Sequence, residues 1–319
     1  MPIKRILRRA LTATCWLAIA GAAATGIGRH TEPSSVGSVG VIALTPWSLL
    51  PAAAAVAGLA ALRRWRPAVL GGIVVALIGW PQVGSYFPVQ NSGAAPIITV
   101  MTANTLRGTA NPDALVATVR ARGVDVLAVQ ELTMDSIDKL AAAGLDQVLP
   151  YHLVGYQDGG TDVGIWSRYP LAESRQLTGF AFAPVQAGIV VGGQQLTVIG
   201  IHSKAPVSST GVGLWQSDLA RLAEVMANPD NPTIVAGDFN ATRDHRQFRE
   251  LLAAGYTDAG SDAGAGILLT YPADRSWGPI IGIDHVLVSN DLVGVEVTSV
   301  DQPGSDHLAV VAKVAAIPE

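Results

Sequence analysis

The stretch Thr233-Ile234-Val235-Ala236-Gly237-Asp238-Phe239-Asn240 decides the expected fold, because it joins an apolar segment directly to polar residues. Three consecutive apolar residues, two of them β-branched, predict a buried strand. Gly237 is expected to let the backbone turn, so that Asp238 and Asn240 lie together where the strand ends. Aspartate supplies anionic oxygen to a hard cation, and asparagine supplies a neutral donor and acceptor for phosphate. Taken alone, the pattern fits a polar turn after a core strand equally well.

Several other predicted strands begin or end in residues that bind metal or phosphate. Sheets commonly present ligand sites at one edge, where loops are free to hold polar groups. Each such residue alone is more often a capped turn than a ligand, but the whole set favours a functional site. The strands are Ile97–Asn104, Val124–Glu131, Leu196–His202, Thr233–Asp238, Ile283–Ser289 and Ala309–Val314, and the polar residues are Asn104, Glu131, His202, Asp238, Asn240, Asp284, Asp306 and His307.

Helical patterns lie between these strands and place the chain in the α/β class. Pro112–Arg122 begins with proline and carries apolar residues on one face, and Leu214–Met226 is amphipathic. Phe248–Ala254 is a third helical segment.

The N-terminal part of the chain is more apolar than an ordinary soluble domain. The 319 residues are 49% hydrophobic and only 14% charged, with a mean hydropathy of +0.36. Charge-free or apolar stretches cover Ala10–Gly28, Pro33–Leu62 and Ala68 to about Phe87. A membrane-spanning helix needs roughly 20 such residues. Residues 1–90 are therefore predicted to be a membrane anchor with about three transmembrane helices, the second kinked or delayed by Pro46 and Pro51.

The cations predict how this anchor is oriented. The clusters Lys4–Arg9 and Arg63–Arg66 are expected on the cytoplasmic side, and the nearly neutral Arg29–Glu32 outside. Three crossings leave everything after Tyr86 outside. A cleaved signal peptide ending near Ala22–Ala24 is the alternative for the first segment. It leaves two crossings and the same final side.

Residues 96–319 are predicted to form one domain with a large core. This part has 13 lysines and arginines against 24 aspartates and glutamates, a formal net charge of −11. A nuclease that tracks along duplex DNA usually carries a cationic surface, which this domain lacks overall. The single cysteine, Cys15, lies in the first apolar segment, so the domain has neither a disulfide nor a thiolate metal site.

The ordered polar motifs resemble those of the endonuclease/exonuclease/phosphatase superfamily. The resemblance covers roughly residues 96–315, and its motifs are Asn104, Gln130-Glu131, Ser167-Arg168-Tyr169-Pro170, His202, Gly237-Asp238-Phe239-Asn240, Ile283-Asp284-His285 and Ser305-Asp306-His307. The superfamily includes DNase I-like nucleases, abasic-site endonucleases, sphingomyelinases and inositol-polyphosphate phosphatases. The resemblance implies a four-layer α/β-sandwich, in which helices flank two packed β-sheets, and Mg²⁺- or Mn²⁺-dependent cleavage of phosphate esters. Bacterial members with a membrane anchor before the catalytic domain are the most similar.

The resemblance also implies roles for individual residues. Glu131 would be the principal metal carboxylate, with Asn104 beside it and Asp306 close to the metal site. Carboxylate and amide oxygens are the donors that hard cations prefer. Among further residues, His152, His245 and His285 match no catalytic position and are interpreted as turn or core histidines.

The remaining motif residues would carry the chemistry. Asp238 and Asn240 would orient the attacking water and a phosphate oxygen, and His202 would donate a hydrogen bond to the phosphoryl group. His307 would be the catalytic histidine, with the carboxylate of Asp284 holding its tautomer. Whether Asp238 or His307 accepts the proton from water stays open at this point.

Other polar and aromatic residues have weaker interpretations. Lys204 is interpreted as a solvated loop lysine, with contact to substrate phosphate as the alternative. Arg168 is expected to hold its own turn. Tyr271 and Trp277 lie in a loop rich in glycine and proline before Asp284 and could form a wall for the substrate.

These features predict a divalent-metal-dependent phosphodiesterase or phosphatase outside the cytoplasmic membrane, acting on lipid or envelope phosphate. The alternative is an exported endonuclease or exonuclease on DNA or RNA, which the −11 charge and the membrane tether disfavour. A pseudoenzyme or binding module would be expected to lack a ligand, and none is missing from the set. A structural membrane protein would not need aspartate and histidine at so many strand ends.

Overall fold

The computed structural model describes residues 2–90, 94–156, 162–227 and 229–317. The chain divides into two compact units. The N-terminal unit comprises Met1–Gly84 with Asp244–Arg246, and the C-terminal unit comprises Ser85–Arg243 and Gln247–Glu319. The domain bounds predicted from the sequence, 1–90 and 96–319, stay predictions.

The N-terminal unit is helical. Two of its helices are long and apolar enough to cross a membrane, and a bent pair makes up to three spans if it counts as one. The described helices are α1 (Pro2–Gly28), α2 (Val36–Ala43), α3 (Thr45–Ala61) and α4 (Trp65–Val83), the last followed by a 3₁₀ turn (Gly84–Tyr86).

The predicted second crossing is not one straight helix. It consists of α2 and α3, which are bent by 61° relative to each other at Leu44. Pro46 lies in the first turn of α3, where the missing N–H costs little, so it marks a helix start. Pro51 lies inside α3 without ending it. The kink predicted for the second apolar segment is therefore present, and it lies next to Pro46.

The C-terminal unit is built on two six-stranded sheets. The first has the strand order β11-β12-β1-β2-β4-β3 and the second β5-β6-β7-β8-β10-β9. The first sheet contains β1 (Ile98–Asn104), β2 (Val126–Leu132), β3 (Tyr151–Val154), β4 (Asp162–Ser167), β11 (Leu292–Val300) and β12 (Ala309–Ala316). The second contains β5 (Ala172–Gln176), β6 (Val185–Val191), β7 (Gln194–His202), β8 (Thr233–Asp238), β9 (Tyr256–Asp258) and β10 (Asp284–Ser289).

Helices cover the outer faces of the two sheets. They are α5 (Pro112–Ala121), α6 (Met134–Ala142), α7 (Ser209–Met226) and α8 (Arg246–Ala253), whereas the short α9 (Ala259–Asp262) packs its Ala259 in the cluster between the sheets. On the first sheet, Leu115 of α5 and Leu140 of α6 pack in one cluster with Leu127 and Val129 of β2. Between the sheets, alternate residues such as Val100 and Val198 form a second cluster. The predicted four-layer α/β-sandwich is confirmed.

Helix α7 begins earlier than the amphipathic pattern predicts. Ser208 precedes it in extended backbone, and its side chain accepts a hydrogen bond from Gly211 N. This N-cap satisfies an otherwise unpaired amide and starts the helix at Ser209 instead of Leu214. The first turn is rich in small residues and carries no strong apolar signal.

Gly237 is needed for a reason other than a turn. It lies in regular β8, paired with Ile201 of the parallel strand β7, and a Cβ at this position would collide with the Ile201 carbonyl oxygen. The left-handed backbone belongs to Asn240 instead, at φ 47°. Gly237 therefore permits close approach of two strands, and Asn240 makes the turn.

His285 is a core histidine, as the sequence predicts. Its Nδ1 lies 2.8 Å from Asp258 Oδ2, and its Nε2 lies 3.0 Å from the Ala241 carbonyl oxygen. Because a carbonyl can only accept, Nε2 carries a proton. Burial opposes the charge on Asp258, but bonds from His285 and neighbouring amides outweigh it and lower the pKa of Asp258. His285 and Asp258 therefore form a buried hydrogen-bonded pair.

Asp258→Asn is expected to lower the free energy of unfolding of the C-terminal unit by about 3 kcal/mol, because asparagine has a single acceptor oxygen and cannot bond to both His285 Nδ1 and the Gly260 and Ser261 amides. The pKa of Asp258 is lowered from 3.8 in the folded state. Its stabilisation is therefore fully present above that value and is lost as the pH falls through the lower folded-state pKa. Urea unfolding should show that the free energy of unfolding differs between wild type and variant from neutral pH down to about pH 4. Equal unfolding midpoints at neutral pH would contradict a stabilising role of this pair.

Candidate active site

Asn104 connects the two sheets at the edge where the predicted site residues lie. It ends β1, and its Nδ2 donates to Glu131 Oε1 at 3.3 Å and to Asp238 Oδ2 at 3.1 Å. Glu131 belongs to the first sheet and Asp238 to the second. A further hydrogen bond orients the Asn104 side chain, because its Oδ1 accepts from Leu106 N at 3.0 Å. One amide thus holds two carboxylates from different sheets side by side.

Glu131 reaches this site through an unusual backbone conformation. Side chains alternate along a strand, which would place Glu131 with Leu127 and Val129 on the face covered by helices. Instead, Glu131 has φ 56°, and the pairing of β2 with β4 shifts register between Val129 and Leu132. The bulge turns the carboxylate toward Asn104, and Arg107 N donates to Glu131 Oε2 at 3.0 Å. A strained backbone at such a position is typical of functional sites.

Asp238 is the centre of the cluster. It is 1% exposed, and its Oδ1 accepts a hydrogen bond from Asn240 N at 2.8 Å. Around its Oδ2 lie Asn104 Nδ2, His202 Nε2 at 3.7 Å and His307 Nε2 at 3.8 Å. The chain turns sharply between Asp238 and Asn240, whose backbone is left-handed, and this turn brings Asn240 N to Asp238 Oδ1. Asn240 in turn donates from Nδ2 to the Ser203 carbonyl at 3.0 Å.

Asp284 and His307 form the predicted pair. Since β10 runs antiparallel to β8, Asp284 at the start of β10 lies directly opposite Asp238 at the end of β8. His307 Nδ1 lies 2.9 Å from Asp284 Oδ2, which directs Nε2 toward Asp238 and toward Asp306 Oδ1 at 3.9 Å. Ser305 fixes the loop, because its hydroxyl donates to the Asn104 carbonyl and accepts from His307 N.

His202 faces the cluster with an aromatic ring behind it. Its ring stacks on Phe182 with a centroid distance of 4.5 Å and an angle of 11°. Lys204 Nζ lies 4.9 Å from the centroid of Phe182. The buried carboxylate of Asp218 accepts from Ala181 N and from Lys204 N, each at 2.8 Å. Asp218 therefore connects the loop that contains Phe182 to the segment that follows His202 by two hydrogen bonds.

The protonation of the site follows from burial and charge. Burial lowers the pKa of His202 to about 3, so this ring is neutral at pH 7. Burial also opposes the charged form of His307, but the carboxylates of Asp284 and Asp238 outweigh it and raise the pKa to about 10. Burial and the charge of Asp284 raise the pKa of Asp238 to about 7. Because protonated His307 has no lone pair to offer, Asp238 is the proton acceptor that these side chains favour.

The donor set fits a hard divalent cation. Glu131, Asp238, Asp284 and Asp306 bring four carboxylates to a cluster with a single cationic ring, His307. Among the described residues, the buried Asp284 Oδ1 has no hydrogen-bond partner. Oxygen donors without thiolate are the set that Mg²⁺ and Mn²⁺ prefer. A cation there would offset the repulsion among the carboxylates.

Two groups of residues compete as the cation's ligands. Ligand atoms of Asp238, Asp284 and His307 lie within 4.8 Å of one another, close enough to hold a cation. In that group, however, Asp284 and His307 already bond to each other. In the group predicted from the sequence, Glu131 and Asp306 offer carboxylate oxygens, whereas Asn104 directs its Nδ2 to the carboxylates and its Oδ1 to Leu106 N. We favour this group because a hard cation prefers oxygen, and the assignment of Asn104, Glu131 and Asp306 stays a prediction.

The structure brings all predicted site residues into this one cluster, and it adds two that the sequence did not indicate. Phe182 and Asp218 carry no local signal, because a loop phenylalanine and a helical aspartate are ordinary residues. Arg168 holds its turn as predicted, with Nε 2.8 Å from Asp125 Oδ1. Tyr271 lies 4.8 Å from His307 between ring centroids, whereas Trp277 is 68% exposed.

Comparisons with solved structures agree with this fold. An endonuclease/exonuclease/phosphatase from Bacteroides vulgatus is 15% identical, with a TM-score of 0.56 over 69% of this chain and 99% of that chain. TDP2 of D. rerio, humanised by 14 mutations, has the same identity, TM-score and coverage. A mannosyl-6-phosphatase from Bacteroides thetaiotaomicron is 13% identical, with a TM-score of 0.52 over 68% of this chain and 99% of that chain. These low identities support the fold alone.

The sequence itself supports the family. A comparison with curated proteins gives no match. Residues 101–307, well over half of the chain, match the model of the Endonuclease/Exonuclease/phosphatase family. This range begins in β1 and ends at His307, so it includes every residue of the cluster described above. The chain therefore belongs to the endonuclease/exonuclease/phosphatase family.

Proposed function

We propose that this hydrolase is a membrane-tethered, Mg²⁺- or Mn²⁺-dependent phosphoesterase that acts outside the cytoplasmic membrane on phospholipid head groups or envelope phosphate. Family membership supports hydrolysis of a phosphate ester. The observation that carries the choice of substrate is the combination of apolar N-terminal helices with a catalytic domain of net charge −11.

The residues of the cluster suit hydrolysis by water. A cation held by Asn104, Glu131 and Asp306 would lower the pKa of water and neutralise charge on the phosphoryl group. Asp238 accepts a proton from the attacking water as the water oxygen bonds to phosphorus, and the bond from phosphorus to the ester oxygen breaks as protonated His307 gives its Nε2 proton to the leaving oxygen. The neutral ring of His202 donates a hydrogen bond to a phosphoryl oxygen.

Two aromatic side chains support a small or lipid ester over a duplex. Phe182 stacks on His202, and Tyr271 lies beside His307, so apolar rings adjoin both histidines. The mannosyl-6-phosphatase with this fold indicates that such a scaffold accommodates a small phosphate ester. An acidic domain also repels nucleic acid at a distance, where a basic one would attract it.

The tether supports a substrate in or near the bilayer. The cations at Lys4–Arg9 and Arg63–Arg66 favour a cytoplasmic location for those ends. An odd number of crossings, or a cleaved first segment, then leaves the catalytic domain outside. Only residues 84–97 separate α4 from β1, and a tether of this length would hold the domain within reach of the membrane. A tethered enzyme encounters membrane-bound substrates at high effective concentration.

Protease treatment of intact cells or spheroplasts is expected to remove the C-terminal domain. Purified protein should then be assayed in parallel against lipid phosphoesters, nucleotides and DNA with Mg²⁺ and with Mn²⁺. Lipid or small envelope esters should be cleaved fastest. The variant Glu131→Gln serves as the control for contaminating phosphoesterases. Protection from protease would overturn the topology, and rapid DNA cleavage with inert lipids would establish the nuclease alternative.

A further inference from the structure

A cationic cleft lies at one end of the N-terminal unit. The first turns of α1 meet the turn between α3 and α4, where Arg8 donates from Nη2 to the Leu62 carbonyl at 3.3 Å. Arg63 has a left-handed backbone, and Arg64 N bonds to the Leu59 carbonyl at 2.9 Å, which fixes this turn. The two segments enclose about 820 Å³.

Seven cations line this cleft without an acidic residue among them. Four belong to the start of α1, namely Lys4, Arg5, Arg8 and Arg9. Three belong to the turn, namely Arg63, Arg64 and Arg66. Among the described residues, none of them pairs with a carboxylate, and Glu32, the one acid before residue 96, lies beyond the opposite end of α1. Seven like charges in one cleft repel each other, so an anion that binds there relieves this repulsion.

Apolar side chains adjoin the cations. Leu62 and Trp65 line the cleft together with the cations, and Trp65 is 63% exposed. A free phosphate or a nucleic acid would leave this apolar surface in water. A phospholipid covers both parts, with its phosphate on the cations and its acyl chains along the apolar residues. Tryptophan is also the residue typical of a membrane interface.

We propose that this cleft binds the head group of an anionic phospholipid, on the side that the proposed topology makes cytoplasmic. Basic pockets between transmembrane helices on the cytoplasmic side are known to bind phosphate-bearing head groups. The cleft shares no residue with the catalytic cluster. If the cleft bound no lipid, the proposed phosphoesterase activity would therefore be unaffected.

The test is a lipid titration of the full-length protein in neutral detergent, followed by native mass spectrometry. In micelles with equal phosphatidylglycerol and phosphatidylcholine, wild type should retain phosphatidylglycerol. The triple variant Arg63→Gln, Arg64→Gln and Arg66→Gln should bind it about a hundredfold more weakly. Detergent removes any effect of these substitutions on membrane orientation. The corresponding triple lysine variant keeps the charge and should bind within about tenfold of wild type.

A matched control removes the same number of positive charges from another part of the protein. The exposed residues Arg122, Arg175 and Arg221 of the C-terminal unit, replaced together by glutamine, should leave lipid retention unchanged. Equal retention of both lipids by wild type, or undiminished retention by the first triple variant, would overturn the proposal. Displacement of the lipid by an equal concentration of inorganic phosphate would overturn it as well, since the cleft would then be a free-phosphate site.

Discussion

The Glu131→Gln variant is expected to lose about a thousandfold in kcat while it keeps its fold. Loss of several kcal/mol of charge stabilisation by the cation, at about 1.4 kcal/mol for each factor of ten, gives this magnitude. Glutamine preserves the size of the side chain and one oxygen, so the bond from Arg107 N at 3.0 Å can survive. Excess EDTA should abolish the activity of the wild type, and added Mg²⁺ or Mn²⁺ should restore it.

Glu173 provides a matched control for this experiment. It is exposed on β5, and it has φ 48°, close to the φ 56° of Glu131. Glu173→Gln therefore tests the same substitution in a similar backbone conformation, away from the cluster, and should leave kcat unchanged. Circular dichroism and thermal unfolding would verify that both variants are folded. Wild-type turnover in excess EDTA, or an active Glu131→Gln enzyme, would contradict the metal assignment.

The buried strands were predictable from the sequence because burial on both faces requires continuous apolar runs. This physical rule identified β1, β2, β7, β8, β10 and β12 with small errors at their ends. It could not identify β5, Ala172–Gln176, because all five of its residues are exposed and show no apolar pattern. Strand β9 has only three residues, too few for a periodic signal. Such strands exist because neighbouring strands pair with them.

The residues of the site could be predicted from the sequence, but their arrangement in space could be predicted only in part. Apolar runs that end in polar residues identified Asp238 and His202, and family resemblance supplied the implied roles. The pairing of Asp284 with Asp238 depends on the register of β8 and β10, which are separated by a long segment. No local rule gives such a register.

Glu131 shows most clearly what a periodic pattern misses. Simple alternation predicts that Asn104, His202, Asp238 and Asp284 share the face of their strands that packs between the sheets, as Val100, Val198, Ala236 and Val286 do. It predicts the opposite face for Glu131. The left-handed conformation and the bulge reverse this direction at a cost in free energy, and they bring the carboxylate next to Asn104, where the predicted metal ligand is needed.

His307→Ala is expected to reduce kcat/KM about ten-thousandfold, and Asp284→Asn should come within about tenfold of it. The carboxylate acts through the imidazole, because Asp284 Oδ2 accepts the bond from His307 Nδ1 at 2.9 Å and so directs Nε2 into the site. Asparagine can still accept this bond, but it removes the negative charge. The carboxylates overcome burial to raise the pKa of His307 to about 10. Asp284→Asn should therefore lower that pKa, which histidine NMR titration of the metal-free protein measures directly.

The double variant decides whether the two residues act as a unit. If they do, Asp284→Asn combined with His307→Ala should be little worse than either single change, since each removes the same interaction. Losses that multiply across the two positions would instead show independent roles. The second buried pair, Asp258 with His285 at 2.8 Å, is the control for damage to the fold. Asp258→Asn should reduce stability yet leave kcat/KM near wild type below its unfolding temperature. A similar catalytic loss in that control would mean that any broken pair in β10 disables the enzyme, and the assignment to His307 would fail.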